Sequence, residues 1–132
     1  MSSDATSRYH HGQIVYVKVT GHDGKSKDRT VLIISSDREC ARGDSLLVLG
    51  ISSKPKPHRP YYHVLVHDSD TLDPRTGLDR PSWVLCNFWD DIDQDRIRRP
   101  VGTLPDELLK DVLDAFDLIW ADEDFPDWPP KP

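Results

Sequence analysis

Sulfur and long apolar runs are both scarce in this chain of 132 residues. Its two cysteines, Cys40 and Cys86, lie far apart and form no C-x-x-C pair, which excludes a disulfide framework or a zinc knot as the organising device. No stretch approaches the ~20 apolar residues of a membrane-spanning helix. The polar start, residues 1–10, lacks the charged-then-apolar pattern of a secretory signal. The expectation is a reduced, cytoplasmic protein that uses no membrane, metal or cofactor. Positive charge is also short. Lys and Arg number 17 against 23 Asp and Glu, a net −6, so the chain is not a globally basic nucleic-acid binder.

The length allows one domain. Within it the charge is uneven. Residues 121–132 hold four acids against one lysine, half of the net charge, together with four prolines, and are expected to form a disordered tail beyond a domain spanning 12–120. Residues 1–11 are polar and are also expected to be disordered. From 53 to 63 there are Lys54, Lys56 and Arg59 and no acid, so a local phosphate-binding face is possible despite the overall sign.

The chain is organised around residues 28–54. Two apolar runs, Val31-Leu32-Ile33-Ile34 and Leu46-Leu47-Val48-Leu49, are bounded by turn-forming residues and predict two buried strands, 30–35 and 45–52. Arg29 opens the first; Ser52, Ser53 and Lys54 close the second. If the strands are antiparallel neighbours, a guanidinium and a hydroxyl share one edge of the sheet, an arrangement suited to a phosphate. Upstream, 13–20 alternates Val15, Val17 and Val19 with Ile14, Tyr16 and Lys18, the period of a half-buried strand. Residues 21–28 form a polar loop in which His22, the one group with an ordinary pKa near neutrality, is the acid–base candidate, with Lys25 and Lys27 beside it. The three prolines of 54–60 predict a stiff basic loop rather than helix or central strand. Further strands are expected at 61–67 and 82–87. Trp83, Phe88 and Trp89 are expected to be core or dimer anchors, and Arg96, Arg98 and Arg99 a solvated turn. A last helix, capped by Thr103 with Pro105 in its first turn, carries Leu108, Leu109, Val112, Leu113, Phe116, Ile119 and Trp120 on one stripe.

These segments resemble, in order, a known family. Gly12-Gln13-Ile14-Val15, Arg29 before the VLIIS strand, Ile51-Ser52-Ser53-Lys54, Ser82-Trp83-Val84-Leu85-Cys86, Asp91-Ile92-Asp93 with Arg96-Ile97, and Gly102-Thr103-Leu104 are similar to the PemK/MazF-like toxins of type II toxin–antitoxin systems. The likeness covers residues 11–120. It implies a mainly β fold, an SH3-like small antiparallel barrel with a C-terminal helix, acting as a homodimer. It also implies metal-independent cleavage of single-stranded RNA through attack of the substrate's 2′-OH to a 2′,3′-cyclic phosphate, and control by a cognate antitoxin. In this sequence Arg29 matches the family's catalytic arginine, and Ser52 stands where most members have threonine. His22 lies in the loop where some relatives place a catalytic histidine. Lys25, Lys27, Ser53, Lys54, Lys56, Arg59 and Asn87 would meet RNA. Two positions depart from the pattern: Asn87, where members often have an acid, and Leu85, an arginine in some. They keep a second reading open, a toxin-fold binding module for RNA, antitoxin or peptide.

Overall fold

The computed structural model describes residues 9–20, 24–43, 45–53, 63–67 and 73–121. Eight elements follow in order: β1 (Gln13–Thr20), β2 (Ser26–Ile33), α1 (Asp37–Ala41), β3 (Leu46–Ser52), β4 (His63–His67), β5 (Ser82–Ile92), β6 (Ile97–Thr103) and α2 (Asp106–Ala121). The strands make one antiparallel sheet in the order β4-β5-β3-β2-β1-β6. Mainly β with one long C-terminal helix is therefore what the chain forms. Among the described residues the sheet does not close by hydrogen bonds: β4 and β6 are its edges.

Strand alternation sorts the apolar residues onto two faces. Ile14, Leu32, Leu49, Val84 and Cys86 face one way and are covered by Leu104, Leu109, Val112 and Ile119, from α2 and the residues leading into it. Val15, Val17, Val31, Ile33, Leu46, Val48, Ile92 and Ile97 face the other, where Cys40 of α1 joins them. The sequence supports α1 with a capping box: the Ser36 hydroxyl accepts from the Glu39 N–H, and the Glu39 carboxylate accepts from the Ser36 N–H at 2.9 Å. Burying both faces of one sheet requires strong curvature. Much of it comes from β5, where the partners of Leu49 and Gly50 are Trp89 and Leu85, so residues 86–88 form a bulge.

Several elements differ from expectation. β2 begins at Ser26, because Ser26, Lys27, Asp28 and Arg29 pair with Thr20, Val19, Lys18 and Val17 in a two-stranded ribbon that satisfies a polar backbone. The bulge lets β5 continue to Ile92 where a six-residue strand was expected. Arg98 and Arg99 belong to β6, not to a turn. Pro100 is tolerated there because β6 is an edge strand, with β1 as its ladder partner, and a missing N–H costs nothing on the outer side. Thr103 ends β6, and α2 starts at Asp106, with the Pro105 carbonyl accepting from Leu108 and Leu109. The helical stripe from Leu108 to Ile119 packs as expected.

At the β6 edge the chain crosses itself. A 3-10 turn, Pro74–Thr76, packs on β6, and Gly77 follows with φ 69°. A Cβ on Gly77 would overlap the Val101 carbonyl, and one on Gly102 would overlap the Thr76 carbonyl. Both obstacles are backbone, which cannot swing aside. Gly102→Ala is therefore expected to destabilise the fold by about 1–3 kcal/mol, the usual cost of overpacking. A drop in the thermal or urea midpoint checks this, with Lys110→Ala at an exposed position of α2 as the comparison.

Candidate functional site

The β2–β3 ladder pairs Val31 with Gly50, Leu32 with Leu49 and Ile33 with Val48. Two residues beyond the Val31–Gly50 rung lie Arg29 on β2 and Ser52 on β3, whose own ladder partners are Val17 of β1 and Trp83 of β5. Alternation along each strand puts both on the side of Val31 and Val48. Arg29 is exposed and Ser52 half-buried. A guanidinium and a hydroxyl thus fall on one face near the open end of the sheet, where β2 leaves β3 and continues as the ribbon with β1.

The same alternation builds a basic row. Lys25, Lys27 and Arg29 fall on one side and are exposed. Asp28, between them in sequence, faces the other way, where its carboxylate lies 3.7 Å from Arg98. Both partners are half-exposed, so the pair contributes little stability; its effect is to turn the one acid of the segment away from the row.

Ser53, the other predicted hydroxyl, is on the opposite side. It lines an open cleft of ≈ 430 Å³ with Tyr16, Thr30, Arg80, Ser82 and Arg99. The Arg99 guanidinium carbon sits 4.4 Å from the Tyr16 ring centroid, a cation–π contact. Sequence reasoning missed Tyr16 and Arg99. The available signal was a Pro in Ile97-Arg98-Arg99-Pro100-Val101, which marks an edge strand as readily as a turn.

Of the two departures, Leu85 pairs with Gly50, so an aliphatic group occupies the rung two residues from Ser52. Asn87 lies in the β5 bulge and its side chain is outside the described residues, as are His22, Lys54, Lys56 and Arg59. Cys86, the residue before Asn87, is structural. Its thiol is fully buried, donates at 3.8 Å to the Val112 carbonyl of α2, and is pushed up to about 12 by desolvation. Burial likewise raises Cys40. Among the described residues no cluster of three His, Cys, Asp or Glu could hold a metal, and no helix is long and apolar enough to cross a membrane.

A family model described as the PemK-like, MazF-like toxin of type II toxin–antitoxin systems matches residues 10–120. No curated protein matches. Among solved structures, a MazE–MazF complex from Deinococcus radiodurans superposes with a TM-score of 0.65 at 18% identity, covering 85% of this chain and 95% of that one. A mycobacterial endoribonuclease in complex with its cognate antitoxin gives 0.65 at 13% identity, with 83% and 92% covered. The Mycobacterium tuberculosis toxin MazF-mt6 gives 0.63 at 21%, with 80% and 93% covered. At these identities the superpositions show a shared fold.

Two consequences of the buried thiol are measurable. Native protein at pH 8 should leave Cys86 unmodified by iodoacetamide, with labelling appearing only on unfolding. Because the folded thiol ionises above its unfolded value, its stabilising contribution is complete below about pH 8.5 and is lost as pH rises toward 12, roughly 2 kcal/mol by pH 10.5. The urea midpoint should fall over that range, and less steeply in Cys86→Ala when each protein is referenced to its own value at pH 7.

Proposed function

We propose that this chain, which belongs to the PemK-like, MazF-like toxin family of type II toxin–antitoxin systems, is an endoribonuclease that cuts single-stranded mRNA without a metal ion. The observation that supports this reading is the alternation by which Arg29 and Ser52 fall on one face, each two residues beyond the Val31–Gly50 rung, at the head of an exposed basic row.

The chemistry follows from what those groups can do. The nucleophile is the RNA's own 2′-OH, so the protein need not activate water, and DNA is not a substrate. Attack on the adjacent phosphorus forms a pentacoordinate phosphorane, and departure of the 5′-oxygen leaves a 2′,3′-cyclic phosphate and a 5′-OH. The guanidinium of Arg29 offers a planar fork of donors to the equatorial oxygens as their charge grows. The Ser52 hydroxyl donates to the same group from the neighbouring strand. His22 is assigned proton transfer, because Leu85 cannot exchange a proton and Asn87 does not titrate. Lys25 and Lys27 hold the backbone on the approach to Arg29, and Ser53, Lys54, Lys56 and Arg59 continue the contact beyond β3.

The D. radiodurans and mycobacterial structures carrying antitoxins support an antitoxin as the regulatory partner. A homodimer in the cytoplasm is the matching assembly. The second reading, a binding module on the same fold, is favoured by one observation: the apolar Leu85 on the rung beside Gly50.

Incubating a long single-stranded RNA with the purified protein in EDTA tests the proposal. Wild type should leave cyclic-phosphate and 5′-OH ends. Arg29→Ala should lower the rate about 10²–10³-fold, the usual cost of one oxyanion donor. Ser52→Thr should keep activity, since it retains the hydroxyl and restricts its rotamer. Binding without cutting by folded wild type would leave the binding-module reading.

A further inference from the structure

Of the groups that line the cleft on the other side of the sheet, the reaction above uses only Ser53. The position of the cleft relative to the cutting residues is set by alternation alone. Thr30 follows Arg29 and Ser53 follows Ser52, about 3.8 Å on along the backbone in each case, yet Thr30 and Ser53 line the cleft while Arg29 and Ser52 stand on the opposite face. Between the two faces the sheet is incomplete. The β2–β3 ladder ends at Val31 and Gly50, and from Thr30 to Ser26 the ladder partner of β2 is β1. An extended strand lying on Arg29 is therefore one residue along β2 from Thr30 of the cleft, and among the described residues no β2–β3 rung lies beyond Val31 and Gly50.

The cleft's groups suit a nucleotide. The Arg99 guanidinium carbon lies over the Tyr16 ring, 4.4 Å from its centroid, which puts a planar cation beside the cavity. Bases in single-stranded RNA stack on such guanidinium planes. Arg80 supplies a second cation from the segment roofing the cleft. Its partner Asp79 is 3.4 Å away, but both side chains are largely exposed, so the pair is weak and open to exchange with a phosphate. The hydroxyls of Thr30 and Ser53, and Ser82 at the start of β5, add neutral hydrogen-bonding groups for base edges and the 2′-OH. An acidic peptide would use the cations but has no need of the stacked platform, so RNA is favoured.

We infer that this cleft is a second RNA subsite, holding a nucleotide that flanks the scissile phosphate, with its base on the Arg99–Tyr16 stack and its phosphate between Arg80 and Arg99. The inference rests on the ribonuclease reading for its place in the reaction, but its binding part is tested without cleavage.

The probe is a 2′-O-methyl single-stranded oligonucleotide, which cannot be cut, bound to the full chain over a range of salt concentrations. Arg99→Ala and, separately, Arg80→Ala should weaken binding about tenfold and lower the slope of log K against log salt by about 1. Lys110→Ala on α2 serves as the control and should do neither. With cleavable RNA, Arg99→Ala should raise KM much more than it lowers kcat, whereas Arg29→Ala does the reverse. Because Arg80 is exposed, its variant keeps the test decisive should Arg99→Ala fold poorly. Unchanged oligonucleotide affinity and salt slope in both variants would overturn the subsite even if wild type cuts RNA. So would a loss confined to poly-glutamate binding, which would mark a protein-facing surface. If wild type does not cut RNA but both variants lose oligonucleotide binding, the ribonuclease reading fails and the subsite stands as a binding site.

Discussion

The register of β2 on β3 is the constraint on which the rest of the site depends. A slip of one residue would reverse the facing of every side chain on β2. Leu32 would leave the cluster under α2, Val31 and Ile33 would enter it, and Arg29 would face the cleft in place of Thr30. The fold resists this because both faces are buried. Leu32, Ile33 and Leu49 are wholly inaccessible, and each contributes about 1.5–3 kcal/mol by leaving water. Hydrogen bonds beyond the ladder pin the same register: Gly12 N–H to the Ile33 carbonyl, Ile34 N–H to the Leu47 carbonyl, and Leu47 N–H to the Ser35 hydroxyl. The placement of one exposed arginine is thus set by apolar residues it does not touch.

Curvature is the second requirement, and it is met by interruptions of regular structure. The three-residue bulge in β5 lets its first half serve the α2 side while Ile92 joins the opposite cluster. The two glycines at the crossing let the backbone before β5 lie directly on β6, so that an open sheet behaves as a curled one without closing its hydrogen-bond ladder. The cleft follows from that crossing: Gly77, Leu78, Asp79 and Arg80 roof it, while Tyr16, Thr30 and Ile51 form its floor.

These two requirements differ in how plainly they were written in the sequence. Apolar runs and alternation made β1, β2, β3 and the stripe of α2 legible, because burial of one side chain in two or four leaves a periodic trace. The antiparallel neighbourhood of β2 and β3 followed from strand ends alone. What escaped was carried by long-range geometry. Ser26, Lys27, Asp28 and Arg29 are polar and read as loop, but their backbone pairs with β1. Arg98 and Arg99 read as turn because no apolar alternation spans them, and β6 exists only because β1 offers an edge. Nothing local told that Gly77 and Gly102 meet, or that Tyr16 carries Arg99 on its ring. The SH3-like barrel was expected from family likeness rather than from any residue; the sheet has that strand arrangement without closing its hydrogen-bonded order.

The net charge of −6 is the feature that most argues against an RNA partner, and the structure bears on it directly. Net charge governs the field far from a protein, whereas at physiological salt exposed charges more than about 8 Å apart are largely screened. What an approaching phosphate meets is therefore local. On α2 the exposed acids Asp106, Glu107, Asp111, Asp114 and Asp117 gather on one element, with Glu107 paired to Arg75 and Asp114 to Lys110. At the open end of the sheet the order is inverted: Lys25, Lys27 and Arg29 line one face, Arg80 and Arg99 the other, and Asp28 is turned toward Arg98. Alternation along β2 achieves this separation with acids and bases adjacent in sequence, which is why composition alone could not reveal it. An acidic chain can in this way present a basic edge, and the same acids that lower its net charge oppose indiscriminate binding of nucleic acid elsewhere on its surface.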